Sequence, residues 1–87
     1  MNTVSINEGK SVLANQIMVF PNPTSDMVNV QSPVNVNVTI IDIKGRTVNQ
    51  VKNASRFSLK ELPVGLYLLR ITDKYGQLIK TTKVTKQ

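Results

Sequence analysis

Eleven lysines and arginines and five carboxylates carry the ionisable chemistry of this 87-residue chain, with no histidine and no cysteine beside them. The most usual general base and metal ligand is therefore missing. Thiolate nucleophiles, thiolate metal sites and disulfides are missing too, so folding needs no oxidant, while the compartment stays open. The carboxylates Glu8, Asp26, Asp42, Glu61 and Asp73 stand singly along the chain. Asp42 and Asp73 each precede a glycine by three residues, in Asp42-Ile43-Lys44-Gly45 and Asp73-Lys74-Tyr75-Gly76. There an aspartate satisfies turn N–H groups, which accounts for both without catalysis. No spaced run of oxygen ligands ends in Glu, as an EF-hand loop requires. Asp26 with loop carbonyls is what remains as a Ca²⁺ candidate. No glycine-rich loop is built to cradle a phosphate. The expectation is a non-enzyme that uses no metal and no cofactor.

The basic residues are unevenly placed. Net charge is +6, and from Lys74 to Gln87 the chain holds Lys74, Lys80, Lys83 and Lys86 with no carboxylate. Such asymmetry favours polyanions or an acidic partner protein. The plainer reading is that these lysines protect a sheet edge from pairing with another chain. A single-strand nucleic-acid groove would need stacking aromatics. Only Phe20, Phe57, Tyr67 and Tyr75 are aromatic. Phe57 and Tyr67 fall at expected core positions, and only Tyr75 beside Lys74 is placed for stacking, so nucleic acid is not expected as a partner.

The elements that position these groups are strands. The chain has the length of one small domain, in which only about 60–65% of the unfolded surface can be buried. Hydrophobic residues make up 40%, rich in Val and Ile, and Thr is frequent. That composition favours sheet over helix. Residues 1–16 read as a polar linker in which Val4, Ile6, Val12 and Leu13 could form a short strand or a helical turn. Strands are expected at 17–20, 27–31, 35–42, 46–52, 56–60, 66–72 and 77–86, each bounded by turn residues. Over 35–42 the alternation is plain: Val36, Val38 and Ile40 face one way and Asn35, Asn37 and Thr39 the other. Val48, with Val51 a second candidate, should be buried by the returning strand. Phe57 and Leu59 share one side of the next strand. Tyr67, Leu69 and Ile71 point inward, and Leu78, with Val84 a further candidate, supplies the last strand's core contribution. Two-residue periodicity at regular spacing indicates an all-β, Ig-like antiparallel sandwich of about seven strands. The longest apolar run, Val64 to Leu69, is six residues, far below the roughly 20 that a membrane-spanning helix needs. The first residues also lack a signal peptide's basic and apolar regions.

Three punctuation points stand out. Pro21-Asn22-Pro23 follows a short hydrophobic strand and stops its ladder. Ile40-Ile41-Asp42-Ile43-Lys44-Gly45-Arg46 is a hairpin. Leu62-Pro63-Val64-Gly65-Leu66-Tyr67 is a corner that feeds an aliphatic strand carrying Arg70. A Tyr placed just past such a corner can bury its ring and bond a backbone carbonyl a few residues upstream. In order and spacing these elements, closed by the lysine-bearing strand Ile79 to Lys86, resemble the type A C-terminal sorting domain of the type IX (Por) secretion system of Bacteroidetes, over roughly residues 17–86.

That resemblance implies a folded signal at the end of a larger secreted cargo protein, recognised by the type IX translocon. The implied route runs through the periplasm and outer membrane to the cell surface or beyond. It also implies a sortase-like peptidase that removes the domain and joins the cargo to anionic lipopolysaccharide. The division is then a linker and cleavage region over 1–16, with a scissile bond between about Ile6 and Gln16, and the sorting domain over 17–87. Translocon recognition is assigned to Lys80, Lys83, Val84 and Lys86 on an exposed last strand, a β-augmentation mode. Pro21, Asn22, Pro23, Asp42, Gly45, Arg46, Leu62, Pro63, Gly65, Tyr67 and Arg70 keep the shape. A passive Ig-like adhesion or carbohydrate-binding module is the alternative. Dimerisation through strand edges stays open.

Overall fold

A computed structural model describes residues 12–87. Its seven strands are β1 (Met18–Phe20), β2 (Met27–Gln31), β3 (Asn37–Ile41), β4 (Thr47–Val51), β5 (Arg56–Ser58), β6 (Gly65–Thr72) and β7 (Leu78–Lys86). They form two sheets, ordered β1-β2-β5 and β4-β3-β6-β7. Every ladder between these strands is antiparallel. The expected Ig-like sandwich is therefore the fold. At 12–16 the chain forms a short helix, one of the two forms left open for Val12 and Leu13; the rest of the expected linker falls outside the described residues.

The core is where the alternating residues of the two inner faces meet. Val28 and Val30 from β2, Val38 and Ile40 from β3, and Leu69 and Ile71 from β6 are buried, with Ile17, Val36, Leu59 and Val84 filling in from the ends. Each aliphatic chain so buried contributes about 1.5–3 kcal/mol of transfer free energy. Phe57 and Tyr67 supply the aromatic volume. Tyr67 also ties the corner, since its hydroxyl donates to the Pro63 carbonyl at 2.5 Å.

Two core expectations fail, one by strand parity and one by a bulge. In the β3–β4 ladder Val51 pairs with the inward Val38 and Asn49 with Ile40, so Val48, three residues from Val51, falls on the opposite face and stays exposed. In the β6–β7 ladder Ile71 pairs with Lys80 and Thr72 with Leu78. Ile79 is skipped, and the side-chain alternation resets there. Leu78 consequently faces outward at 43% exposure, while Ile79 packs against the core in its place. Val51 is half-buried against the core.

The two hairpins are built alike. Asp42 and Asp73 each accept two backbone N–H bonds on one carboxylate oxygen, from Lys44 and Arg46 and from Tyr75 and Gln77. Each loop then closes with a glycine at φ +84°, Gly45 or Gly76. A side chain there would sit in the left-handed region that costs L-residues about 1–2 kcal/mol.

Between β1 and β2, neighbours in the smaller sheet, the connecting chain detours to the larger one. Peptide bonds Phe20–Pro21 and Asn22–Pro23 are cis. The segment 22–24 then lies along the outer edge of β7, forming a parallel bridge between Thr24 and Lys86.

Candidate functional site

Among the described residues no cavity gathers a catalytic set of side chains. Among the described residues no three His, Cys, Asp or Glu side chains come together as a metal site. The described carboxylates with resolved partners serve the fold. Asp26 accepts a hydrogen bond from the Ser58 hydroxyl, and Asp73 holds its turn. Asp42 is paired with Arg46 at 2.9 Å. Its carboxyl titrates below the ordinary value, chiefly because the Arg46 backbone N–H bonds to it, with the guanidinium and the Lys44 N–H adding to the effect against a smaller desolvation cost. What the molecule offers is surface, and two regions of it carry the sequence motifs.

The first region is the outer edge of β7. It is covered over its last residues. Asn22 donates its amide to the Lys83 carbonyl at 3.0 Å and accepts the Thr85 N–H at 3.0 Å. The Thr24 N–H donates to the Thr85 carbonyl at 2.9 Å, and the Gln87 N–H donates to the Thr24 carbonyl at 2.8 Å. Thr24 is buried in doing so, with its hydroxyl bonded to the Met27 carbonyl. The expected free terminal ribbon is therefore corrected: an asparagine side chain and a backbone segment already occupy the edge at 83–87. Pro21 and Pro23 flank that asparagine and have no N–H to compete for the same carbonyls.

The three terminal lysines are not equivalent. The Lys86 ammonium is buried and donates to the Lys60 and Leu62 carbonyls at 3.2 and 2.6 Å. It holds the corner together and cannot present charge. The Lys80 ammonium donates to the Ala14 and Ile17 carbonyls at 3.2 and 2.9 Å, tying the helix at 12–16 to the sheet. Val84 is fully buried. Of the residues assigned to recognition, Lys83 alone stands exposed.

The second region is the corner and the first hairpin, brought together at one end of the sandwich. Asp42, Arg46, Leu62, Pro63, Gly65 and Tyr67 line one cleft of about 240 Å³ with Ile43, Val48, Val64 and Leu66. A neighbouring hollow of about 310 Å³ continues over the outer face of the larger sheet, between Ile43, Gly45, Leu66, Leu68 and Lys83. Ile41, Leu68 and Lys83 stand in register across β3, β6 and β7 on that face. Further along it, Arg70 is exposed between Thr39 and Thr81. Ile43, Leu66 and Leu68 were not singled out as site residues from the sequence. The available signal was the run Val64 to Leu69, apolar at every position except glycine, where a strand covered on one face only should alternate.

The sequence pattern of the secretion system C-terminal sorting domain matches residues 18–86, the whole sandwich. The chain belongs to that family. Sorting domains of this kind direct type IX secretion, and the chain is in that sense a signal for export to the cell surface or beyond rather than a catalyst. A protein named endo-acting ulvan lyase, from Formosa agariphila, is similar at 31% identity over 85 residues, covering 85% of this chain. The chain spans 15% of that lyase's length. Within this sorting domain the motif residues other than Arg70 fall into three structural groups. Pro21, Asn22 and Pro23 clamp β7. Asp42, Gly45 and Arg46 shape the hairpin, and Leu62, Pro63, Gly65 and Tyr67 form the corner. No helix among the described residues is long and apolar enough to cross a membrane.

Proposed function

We propose that this domain is the folded address of a larger cargo protein, read by the type IX translocon and then removed by a sortase-like peptidase. The family match over residues 18–86 carries the reading, because it covers the sandwich from β1 to β7. The sandwich presents shape and a single exposed terminal lysine, Lys83, rather than reacting groups. Translocon contact runs through that surface, with Val84, Lys86 and Lys80 holding the strand in place from beneath and beside it. Cleavage falls between about Ile6 and Gln16, before the first strand. The Lys80 contacts to Ala14 and Ile17 favour the part of that window ahead of residue 14. An upstream cargo fits the 15% share of the similar lyase that the chain spans.

The test is a periplasm-directed reporter with these 87 residues at its C-terminus, expressed in a bacterium that has a type IX system. The expected result is surface or medium delivery, dependent on a working translocon, with a new reporter C-terminus within 6–16 by mass spectrometry. A reporter that remains periplasmic while the domain is folded overturns the reading. A second reading, a passive adhesion or carbohydrate-binding module, rests on Tyr75, which is 78% exposed with the Lys74 ammonium 5.2 Å from its ring centroid. It would give glycan binding by the isolated domain and leave delivery unaffected by Tyr75→Ala.

A further inference from the structure

The larger sheet is apolar where a solvated face should be polar. On β3 and β7 the outward positions Asn37, Thr39, Thr81, Lys83 and Thr85 follow the rule for a half-buried antiparallel strand, and Ile41 at the end of β3 departs from it. β6 breaks it, because Leu66 and Leu68 point out while Tyr67, Leu69 and Ile71 point in. The break continues into the adjoining turns, where Ile43 is 75% and Val64 71% exposed. The hollows they line share Asp42, Ile43 and Leu66, so this is one continuous apolar surface rather than scattered single residues.

Its lining is net positive. Arg46 and Lys83 line the two hollows, and Lys44 sits in the turn between Ile43 and Gly45. The one carboxylate on the same lining, Asp42, is committed to Arg46 and to two backbone N–H groups. An apolar centre inside a cationic rim is complementary to an apolar protein surface rimmed with carboxylates. A purely anionic glycan would need the cations but not the aliphatic centre, and an anionic lipid surface is distinguished by the vesicle experiment below.

We infer that the outer face of β3, β6 and β7, centred on Ile43, Val64, Leu66 and Leu68, is the docking surface for an acidic-rimmed apolar face of the export machinery. This rests on the sorting role proposed above and moves the point of contact from the terminal ribbon to the sheet face beside Lys83. Desolvated aliphatic contacts give the affinity, and Lys83 with Arg46 steers and orients the encounter.

The experiment uses the full chain fused to a secreted reporter, with Ile43→Asp/Val64→Asp as the variant. Both positions lie in turns and are largely exposed, so the melting temperature should stay close to that of the unsubstituted chain. Tyr75→Asp, at the other hairpin, is the control. Surface delivery should fall by about tenfold or more in the double variant and stay unchanged in the control. Lys83→Glu should lower it by a smaller factor. Should the double variant melt early, Ile43→Ser/Val64→Ser takes its place. Full delivery by a folded double variant overturns the docking surface and leaves the sorting role standing. Failure of the unsubstituted fusion to be delivered overturns the sorting role itself. Two other occupants are excluded with the isolated chain. A dimer in sedimentation equilibrium that the double variant abolishes would assign the face to a second copy. Binding to phosphatidylglycerol vesicles that the double variant abolishes would assign it to an anionic lipid surface. Either result overturns the proposal.

Discussion

Replacing Tyr67 by phenylalanine removes one oxygen and leaves the ring where it is. The ring is 5% exposed, and the hydroxyl is bonded to the Pro63 carbonyl four residues upstream. Losing that bond and leaving a half-buried carbonyl without its partner costs about 1–2 kcal/mol. Replacement by alanine also empties the ring volume beneath the corner, and large-to-small aromatic changes cost about 3–5 kcal/mol. A domain of this size has of the order of 5–10 kcal/mol in total. One kcal/mol lowers the melting temperature of such a domain by roughly 4–8 °C. Tyr67→Phe should therefore melt roughly 5–15 °C lower, and Tyr67→Ala should be partly unfolded at about 37 °C. Circular dichroism melts, with urea midpoints at about 25 °C, measure both. A Phe variant within about 1 °C of the parent would show that the hydroxyl bond is not holding the corner. An Ala variant that melts normally would refute the burial argument as a whole.

Asn22→Ala removes both side-chain bonds to the outer edge of β7. Each is solvent-accessible, so the expected loss is about 0.5–1.5 kcal/mol per bond, together with faster amide exchange at Thr85. Exchange rates unchanged at Thr85 would mean that the clamp is carried by Thr24 alone. Asp42→Asn should lower stability at neutral pH. The folded carboxyl titrates below its ordinary value, so its contribution is complete above that ordinary value and is lost as pH falls through the lowered one. Melting temperatures of parent and variant should converge toward acid, and a gap that persists or widens there would be the wrong sign.

Sheet class, strand number and most inward positions were legible because each strand alternates and each turn carries its own chemistry. The repeated Asp-x-x-Gly loops announced both long hairpins, and Leu62 to Tyr67 announced the corner. What escaped depended on register. The bulge at Ile79 shifts side-chain alternation by one residue, so local pattern placed Leu78 inside. Val48 and Val51 are three residues apart on one strand and cannot both face inward, and nothing local marked Val51 as the one that does. The clamp on β7 escaped for another reason: Asn22 and Lys83 are 61 residues apart. Nothing local marks which edge an asparagine between two prolines will cover. The lysines looked alike in the sequence because a charged terminus says nothing about where its alkyl stem can lie. Lys86 threads under the corner and Lys83 stands free only because they occupy opposite faces of one strand.

The bond between Asn22 and Lys83 also sets an order of assembly. Residues made early wait, with their polar groups satisfied by water, for a partner strand that the ribosome adds 61 residues later. A chain cut before β7 would lose the β6–β7 ladder and the rail of the 22–24 segment together. Pairing over so long a separation raises contact order, which slows folding relative to a fold made of local hairpins.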